Sequence, residues 1–185
     1  MAGPELRLPR AKELVRAFDE AVERRFDALR GHAALDRTMY VASELGDWSL
    51  VWHLIGAGQA LLPGRDAMSA VRLSTILGAE SLLVNVGVKS LFRRTRPEWG
   101  SESKRPHKLR TPRSSSFPSG HASAAFTAAG VLSQGDPLWP AYYAVAAVVA
   151  SSRAYVKIHH PSDVVAGAAL GVALAAVARH VWPGE

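Results

Sequence analysis

Five apolar stretches of helical length occupy most of the chain after residue 47, and they constrain its fold more than any other feature. The first, residues 48–63, contains no Asp, Glu, Lys or Arg and ends at a Pro-Gly turn. The second, residues 67–92, holds one acid, Glu80, in an apolar centre. A bilayer span needs about 20 mostly apolar residues, so these lengths fit either a membrane bundle or a soluble one. The other three apolar stretches are 119–132, 138–158 and 163–182.

The N-terminal segment has a different pattern from these stretches. Residues 11–38 place apolar side chains such as Leu14 and Phe18 at helical spacing, with charged residues on the other side. We expect an amphipathic helix packed on its own domain; a helix lying in a membrane interface is the alternative. The predicted division is a segment over 1–40 and a domain over 41–185.

The charge of the chain indicates an anionic partner. Its 22 Lys and Arg against 16 Asp and Glu give a net charge of +6 and a pI near 10.1, which suits lipid headgroups, phosphate substrates or nucleic acid. The loop over 93–118 carries eight of the basic residues but only Trp99 and Phe117 for stacking on bases, so we expect no nucleic-acid partner. The chain has no cysteine, which excludes disulfides and thiolate metal sites.

A histidine and a carboxylate close together indicate a catalytic pair after the fourth apolar stretch. An imidazole such as His159 can be held in one tautomer by an acid four residues later, here Asp163. Arg153 lies near the end of the preceding helical stretch, where its guanidinium can reach an anion beside His159. An arginine, a histidine and an orienting acid point to phosphate chemistry.

Two further polar clusters lie at predicted helix ends. Pro118-Ser119-Gly120-His121 starts the third stretch, where Ser119 can cap the helix and the amide of Gly120 can approach an anion. Lys89 and Arg96 flank the end of the second stretch. Alternate up-and-down packing of five helices would bring all three clusters to one end of the bundle.

Together the clusters read Lys-x6-Arg-Pro, Pro-Ser-Gly-His and Ser-Arg-x5-His-x3-Asp, in that order. With these three motifs in this order, the sequence resembles the type 2 phosphatidic acid phosphatase superfamily. That superfamily also contains vanadium haloperoxidases and bacterial class A acid phosphatases. The resemblance covers roughly residues 40–182. Every fixed position of the three motifs is present: Lys89, Arg96, Pro97, Pro118, Ser119, Gly120, His121, Ser152, Arg153, His159 and Asp163.

The resemblance implies a role for each of these residues. His159 would attack phosphorus and form a phosphohistidine, Asp163 would orient it, and His121 would protonate the leaving oxygen and then activate water. No metal or other cofactor is expected. The phosphoryl oxygens would be bound by Lys89, Arg96, Ser119, Gly120 and Arg153.

The expected enzyme is a phosphatase in the membrane branch, since the N-terminus also has no apolar signal-peptide region. The substrate is a lipid phosphate, with phosphatidate, phosphatidylglycerophosphate, polyprenyl phosphates or diphosphates and prenyl-sugar phosphates all open. A vanadium-dependent haloperoxidase and a non-catalytic lipid-phosphate-binding membrane protein are the alternatives. Membrane lipids are the other expected partner.

The membrane orientation is predicted from the distribution of basic residues. Eight Lys or Arg in the N-terminal segment and eight in the 93–118 loop lie on the catalytic side, against three on the other, which places the active site in the cytoplasm.

Three polar side chains in or beside the apolar stretches carry smaller expectations. Nine residues at about 100° each put Glu80 on the helix face opposite Lys89, in contact with a neighbouring helix or polar crevice. His53 is predicted to be hydrogen-bonded rather than a ligand, and His160 to support the site indirectly.

Overall fold

The computed structural model describes residues 7–62, 66–98 and 114–184, and within these ranges every regular element is helical. The prediction of an all-α bundle with five apolar helices is therefore confirmed. The helices are α1 (Arg7–Leu29), α2 (Ala33–Leu45), α3 (Leu50–Ala60), α4 (Ala67–Leu82), α5 (Gly120–Leu132), α6 (Trp139–Tyr155) and α7 (Pro161–Val181).

The N-terminal segment forms two helices, so the prediction of one helix over 11–38 is wrong. The chain turns between α1 and α2 at Gly31, whose φ of +94° suits a residue without a side chain. Every described side chain of α1 before Asp19 is exposed, and packing begins at Asp19. The expected division at residue 40 falls inside α2 and stays a prediction.

Helix α4 changes its winding before it reaches the loop. The carboxylate of Asp66 caps its start by accepting from the amide of Met68 at 2.9 Å. After Leu82 the chain continues as a π-helical turn, Leu83–Gly87, and then as a 3₁₀ turn, Val88–Leu91. Both depart from the α-helical angle per residue, so the face expected for each side chain shifts.

Helix α5 is the centre of the bundle, and small residues allow its neighbours to approach closely. It packs against α4, α6 and α7, and most of its side chains are buried. A Cβ added to Gly167 of α7 would lie 2.4 Å from the Ser119 carbonyl oxygen, and one on Gly171 would lie 2.3 Å from that of Ser123. The Gly-x3-Gly spacing of α7 therefore allows the backbones of α5 and α7 to lie in close contact.

The rest of the core is built from larger side chains of α3, α4 and α6 that close on α5. Trp52, Leu73, Leu77 and Val149 are each at most 2% exposed. Burying side chains of this size contributes about 1.5–3 kcal/mol each to folding. The up-and-down order brings the ends of α4 and α6 and the starts of α5 and α7 to one end of the bundle, as predicted.

The outer surface of the bundle is apolar in a way that fits a membrane. Leu54, Leu82, Val86 and Val165 are 57–69% exposed, although soluble proteins rarely expose such groups in continuous patches. By length and composition, two of the described helical stretches can cross a bilayer, namely Ala67–Leu91 and Pro161–Val181.

Candidate active site

A cavity of about 550 Å³ opens at the end of the bundle where the motifs were predicted to meet. Five of the eight predicted site residues line it, and the other three lie directly behind its wall. The cavity also contains residues that no motif includes, among them Asp47, Trp48, His53, Glu80 and Asn85. The predicted residues that line it are Lys89, Gly120, His121, Arg153 and His159.

The backbone after α6 places His159 in the wall of this cavity. Lys157 adopts a left-handed φ of +53°, which ends the helix, and the amide of His159 then donates to the Arg153 carbonyl at 3.0 Å. The side chain of His159 is 2% exposed. Its Nε2 accepts a hydrogen bond from Nη1 of Arg96 at 3.3 Å, because a guanidinium can only donate. The ring proton is therefore on Nδ1.

The protonation state of His159 follows from its surroundings. Burial, with the positive charges of Arg96 and Arg153, lowers its pKa to about 3, although Asp163 acts in the opposite direction. The Nδ1 atom lies 3.7 Å from Oδ2 of Asp163, beyond normal hydrogen-bond length, so burial outweighs the carboxylate. A neutral imidazole with its lone pair on Nε2 is the form that a nucleophile requires.

Asp163 is completely buried at the start of α7 and is held on several sides. Its Oδ2 accepts from the amide of His160 at 2.9 Å, and its Oδ1 accepts from Nη1 of Arg94 at 2.6 Å. Its backbone carbonyl accepts from the amide of Ser119 at 3.0 Å. The second and third motifs are therefore joined directly where α5 and α7 begin.

The start of α5 provides a site for an anion. The hydroxyl of Ser119 caps the helix by accepting from the amide of Ala122 at 3.4 Å, as predicted. A Cβ at Gly120 would lie 2.7 Å from the amide oxygen of Asn85, so the lack of a side chain lets this helix end approach the π-helical turn after α4. Lys89 donates to that same Asn85 oxygen at 2.8 Å, which aims its ammonium at the helix end.

The two arginines of the motifs both lie close enough to His159 to lower its pKa through their positive charge. Arg153 is 2% exposed and donates to the hydroxyl and carbonyl of Ser43 in α2. Its Nε has no hydrogen-bond partner within the described residues. Arg96 reaches His159 from the loop side and also donates to the Ile158 carbonyl at 2.9 Å. Both guanidiniums can serve a bound phosphoryl group.

His121 has a partner that motif reasoning missed. Its Nε2 lies 2.8 Å from Oδ1 of Asp47, which belongs to a 3₁₀ turn, Asp47–Ser49, in front of α3. The sequence signal is weak, since it consists of one acid immediately before an apolar stretch. A carboxylate at this distance orients an imidazole and favours its protonated form, but burial and the positive charge of Arg153 outweigh it and lower the pKa of His121 to about 4.

Three further expectations have structural outcomes. His53 accepts or donates a hydrogen bond with Ser74 at 3.0 Å, as predicted, although it also lines the cavity. His160 contacts the Thr95 carbonyl at 3.2 Å through Nε2. Glu80 is buried and lines the same cavity as Lys89. Its expected contact with a polar crevice is therefore confirmed, whereas its predicted placement on the opposite face is wrong. The reason is the π-helical turn between them. Most of the basic loop, 99–113, lies outside the described residues.

The helical bundle ends in a cationic, histidine-bearing cavity, an arrangement that suits phosphoryl chemistry. The model of the PAP2 superfamily matches residues 69–185. The chain belongs to this superfamily, as its motifs predicted, and it is a phosphatase.

Relatives of known function agree with this assignment. The decaprenylphosphoryl-5-phosphoribose phosphatase of Mycobacterium tuberculosis is 30% identical over 144 residues, covering 77% of this chain and 78% of the relative. The protein of that name from Mycolicibacterium smegmatis is 33% identical, with coverages of 76% and 75%.

Two solved structures share the fold. One is the transmembrane PAP2-type phosphatidylglycerolphosphate phosphatase of Bacillus subtilis, with a TM-score of 0.68, 25% identity and coverage of 91% of this chain and 86% of the other. The other is LpxE of Aquifex aeolicus, with a TM-score of 0.69, 25% identity and coverages of 86% and 93%. The predicted membrane-phosphatase fold is confirmed.

Proposed function

We propose that this phosphatase removes a phosphate group from a membrane lipid through a phosphohistidine formed at Nε2 of His159. One observation carries the proposal. A buried, neutral imidazole presents its lone pair to a cavity that also holds Lys89, Arg153 and the start of α5. Cations and helix-end amides stabilise the charge that develops on phosphoryl oxygens in the transition state.

In the first step Nε2 of His159 bonds to phosphorus while the bond from phosphorus to the lipid oxygen breaks. His121 gives its proton to that leaving oxygen. The negative charges of the bound phosphate and of Asp47 favour the protonated imidazole against the burial that lowers its pKa. Asp163 faces the Nδ1 proton of His159, which keeps the attacking tautomer in place. The products of this step are the free lipid alcohol and phosphorylated His159.

The second step regenerates the enzyme with water. His121 is now neutral and takes a proton from the water molecule that attacks phosphorus. The phosphorus–nitrogen bond breaks, its electron pair returns to Nε2, and inorganic phosphate leaves. Lys89, Arg96 and Arg153 serve both steps, because the phosphoryl oxygens carry negative charge throughout.

The proposed substrate class is a prenyl-phosphate sugar that carries a phosphate on the sugar. Both mycobacterial relatives are named for such a substrate. The rim of the cavity is consistent with a lipid-linked ligand, since Trp48 lies there with 81% of its surface exposed. Trp48 and Ser49 both have positive φ, +56° and +57°, and strain of this kind concentrates at functional sites.

Phosphatidylglycerophosphate is the second candidate, because the phosphatase from Bacillus subtilis named for that substrate shares the fold. Purified protein in detergent should be tested against a prenylphosphoryl-pentose phosphate, phosphatidylglycerophosphate, phosphatidate and a polyprenyl diphosphate, with released phosphate as the readout. A kcat/KM at least about tenfold higher for the prenyl-sugar phosphate supports the first candidate. A higher value for phosphatidylglycerophosphate selects the second.

The metal-free mechanism has a separate test. Orthovanadate should inhibit, because it adopts the trigonal-bipyramidal geometry of phosphoryl transfer beside His159, whereas EDTA should leave the rate unchanged. Activity lost on chelation and restored by Mg²⁺ would overturn this mechanism. Halide oxidation by the vanadate-loaded protein, with no phosphate release without vanadate, would favour the haloperoxidase alternative.

We also propose a multi-pass protein whose active site faces the cytoplasm, on the basis of its basic residues. The native chain has no cysteine, so single cysteines report on orientation. Glu98→Cys lies near the cavity end, and Leu62→Cys lies in the exposed turn after α3 at the other end. A membrane-impermeant maleimide on intact cells should label Leu62→Cys only. Labelling of Glu98→Cys alone would reverse the orientation.

A further inference from the structure

Arg94 contacts the orienting acid of the site although it belongs to no motif. Its Nη1 donates to Oδ1 of Asp163 at 2.6 Å, on the side of the carboxylate away from His159. The backbone of Arg94 is held in place as well. Its amide donates to the Ser115 hydroxyl at 3.2 Å, and its carbonyl accepts from the Ser116 amide at 3.0 Å. The guanidinium therefore has a defined position against Asp163.

A second carboxylate, from the N-terminal helix, holds the other side of this guanidinium. Oδ2 of Asp19 accepts from Nη2 of Arg94 at 2.7 Å and from the hydroxyl of Ser162 at 2.9 Å. Its Oδ1 accepts from the amide of Ser162 at 2.7 Å. Asp19 is 7% exposed, and it lies 143 residues before Ser162 in the chain. Its three donors all belong to the neighbourhood of Asp163.

The same face of α1 forms salt bridges with the loop that carries His159. Asp19, Glu23 and Asp27 follow at intervals of four residues, so they form one stripe on the helix. Glu23 and Asp27 lie 3.2 and 3.3 Å from the ammonium of Lys157, two residues before His159. This acidic stripe meets the cationic groups on the outer side of the site, whereas the phosphate cavity is on the inner side.

We infer that Asp19 and Arg94 are a positioning pair that sets the geometry of the nucleophile through Asp163. This inference rests on the proposed function. Asp163 lies 3.7 Å from Nδ1 of His159, so a small displacement of its carboxylate decides whether the two groups bond when the imidazole becomes phosphorylated and charged. The guanidinium of Arg94, bound to the carboxylates of both Asp19 and Asp163, holds the Asp163 carboxylate in one position. Asp19 lies outside residues 69–185, which the superfamily's model matches.

The test compares Asp19→Asn with Glu20→Gln, a matched loss of one carboxylate on the same helix. Among the described residues, Glu20 pairs with Arg16 in an exposed contact and makes no hydrogen bond to Arg94, Ser162 or Asp163. Asp19→Asn should lower kcat about 10–100-fold, the usual effect of removing a group that orients a site residue. KM should change less than about twofold, since no phosphate-binding residue is altered. Glu20→Gln should retain native kcat and KM.

A double-mutant cycle shows whether Asp19 acts through Arg94. Arg94→Met should lower kcat at least as much as Asp19→Asn, and adding Asp19→Asn to Arg94→Met should lower it no further. Arg94→Lys should recover part of the rate, because lysine keeps the charge but cannot bridge both carboxylates in a fixed plane. Independent, multiplying effects on kcat would overturn the proposed pair.

Two measurements separate positioning from a loss of folding. Active-site titration with vanadate counts competent molecules, so kcat is expressed per competent site. Ser162→Ala removes one hydroxyl between Asp19 and Arg94 without changing charge, and it should lower kcat a few-fold at unchanged KM. If Asp19→Asn and Ser162→Ala both keep native kcat while His159→Ala is inactive, the positioning pair is overturned and the proposed function stands. An active His159→Ala would overturn the proposed function itself.

Discussion

The two ends of the bundle both bury polar side chains, but they use them differently. At the end opposite the cavity, Asp136 accepts from the amide of Leu138, just before α6, at 2.8 Å and from the Tyr142 hydroxyl at 3.0 Å. Gln59 donates to Asp136 at 3.1 Å. Nearby, Arg72 donates to the Trp182 carbonyl at 2.7 Å. These polar groups satisfy one another, and they hold α3, α4, α6 and the C-terminal residues together.

At the cavity end several buried polar atoms lack such partners within the described residues. They are Oε1 of Glu80, the hydroxyl of Ser123, Nε of Arg153 and Nδ1 of His159. Leaving a buried polar group unpaired costs about 1–3 kcal/mol, so proteins seldom keep several together. The comparison indicates that the far end contributes stability and that the cavity end gives up stability for binding and chemistry.

The largest effect expected from this comparison is at His159. His159→Ala should lower kcat at least about a thousandfold, because the nucleophile acts together with its partners as a unit. The matched change at the other end is Tyr142→Phe, which removes one buried hydroxyl. It should lower the free energy of unfolding by about 1–2 kcal/mol and leave kcat per folded molecule unchanged. Phosphate release and thermal unfolding should be measured for both variants. The proposed difference between the two ends is wrong if Tyr142→Phe abolishes activity and His159→Ala does not.

The next largest effect concerns proton transfer to the leaving group. His121→Ala should lower kcat about 10²–10⁴-fold on a lipid alcohol leaving group, and much less on p-nitrophenyl phosphate, whose leaving group needs no proton. Asp47→Asn should also lower kcat more on the lipid substrate than on p-nitrophenyl phosphate, with a fold-loss roughly a tenth of that for His121→Ala. Rates for the two substrate types measure this. Equal losses on both substrates would exclude the role of His121 as an acid.

A smaller effect is expected in the pH dependence of stability. The pKa of His159 is lowered to about 3 by burial, so between that pH and about 6.5 the unfolded chain binds a proton that the folded chain does not. The unfolding free energy should therefore fall as pH falls, by about 2 kcal/mol at pH 5. His159→Gln should lose this part of the pH dependence, whereas Tyr142→Phe should keep it. Thermal unfolding at pH 7.5 and pH 5 makes the measurement.

The smallest effect is expected at Glu80, whose carboxylate faces the cavity near Lys89. A negative charge there opposes a phosphate dianion, so Glu80→Gln should lower KM and the inhibition constant of inorganic phosphate a few-fold. Thermal stability should stay the same or rise, because the variant removes a buried charge. A large loss of kcat in a stable Glu80→Gln protein would instead show that the carboxylate takes part in the reaction.

Motif positions and helix ends could be predicted because they depend on local chemistry. Apolar stretches of helical length, a serine cap at Ser119 and a Gly-x3-Gly spacing at Gly167 and Gly171 are all readable along the chain. Alternating helix directions then bring the motif residues to one end, as the structure shows for Lys89 and His159. The catalytic roles of these residues stay predictions until the variants are measured.

The failures of sequence reasoning share a different cause. The break at Gly31 was missed because the apolar pattern continues across it, and the face of Glu80 was misplaced because a π-helical turn changes the angle between residues. The first half of α1 also exposes Leu14 and Phe18, whereas Asp19 faces the protein. Periodicity assumes a uniform helix with an apolar inner face, and both assumptions fail here.

The sequence by itself determined the helical class, the family and the identity of the motif residues, because these depend on residue type and spacing within about fifteen positions. Tertiary structure alone decided the partners of those residues. Asp47 meets His121 across 74 positions, and Asp19 reaches Ser162 across 143. A carboxylate on a helix has no preferred distant partner until packing brings one within hydrogen-bond range, so the orientation of His121 and His159 is a property of the folded bundle.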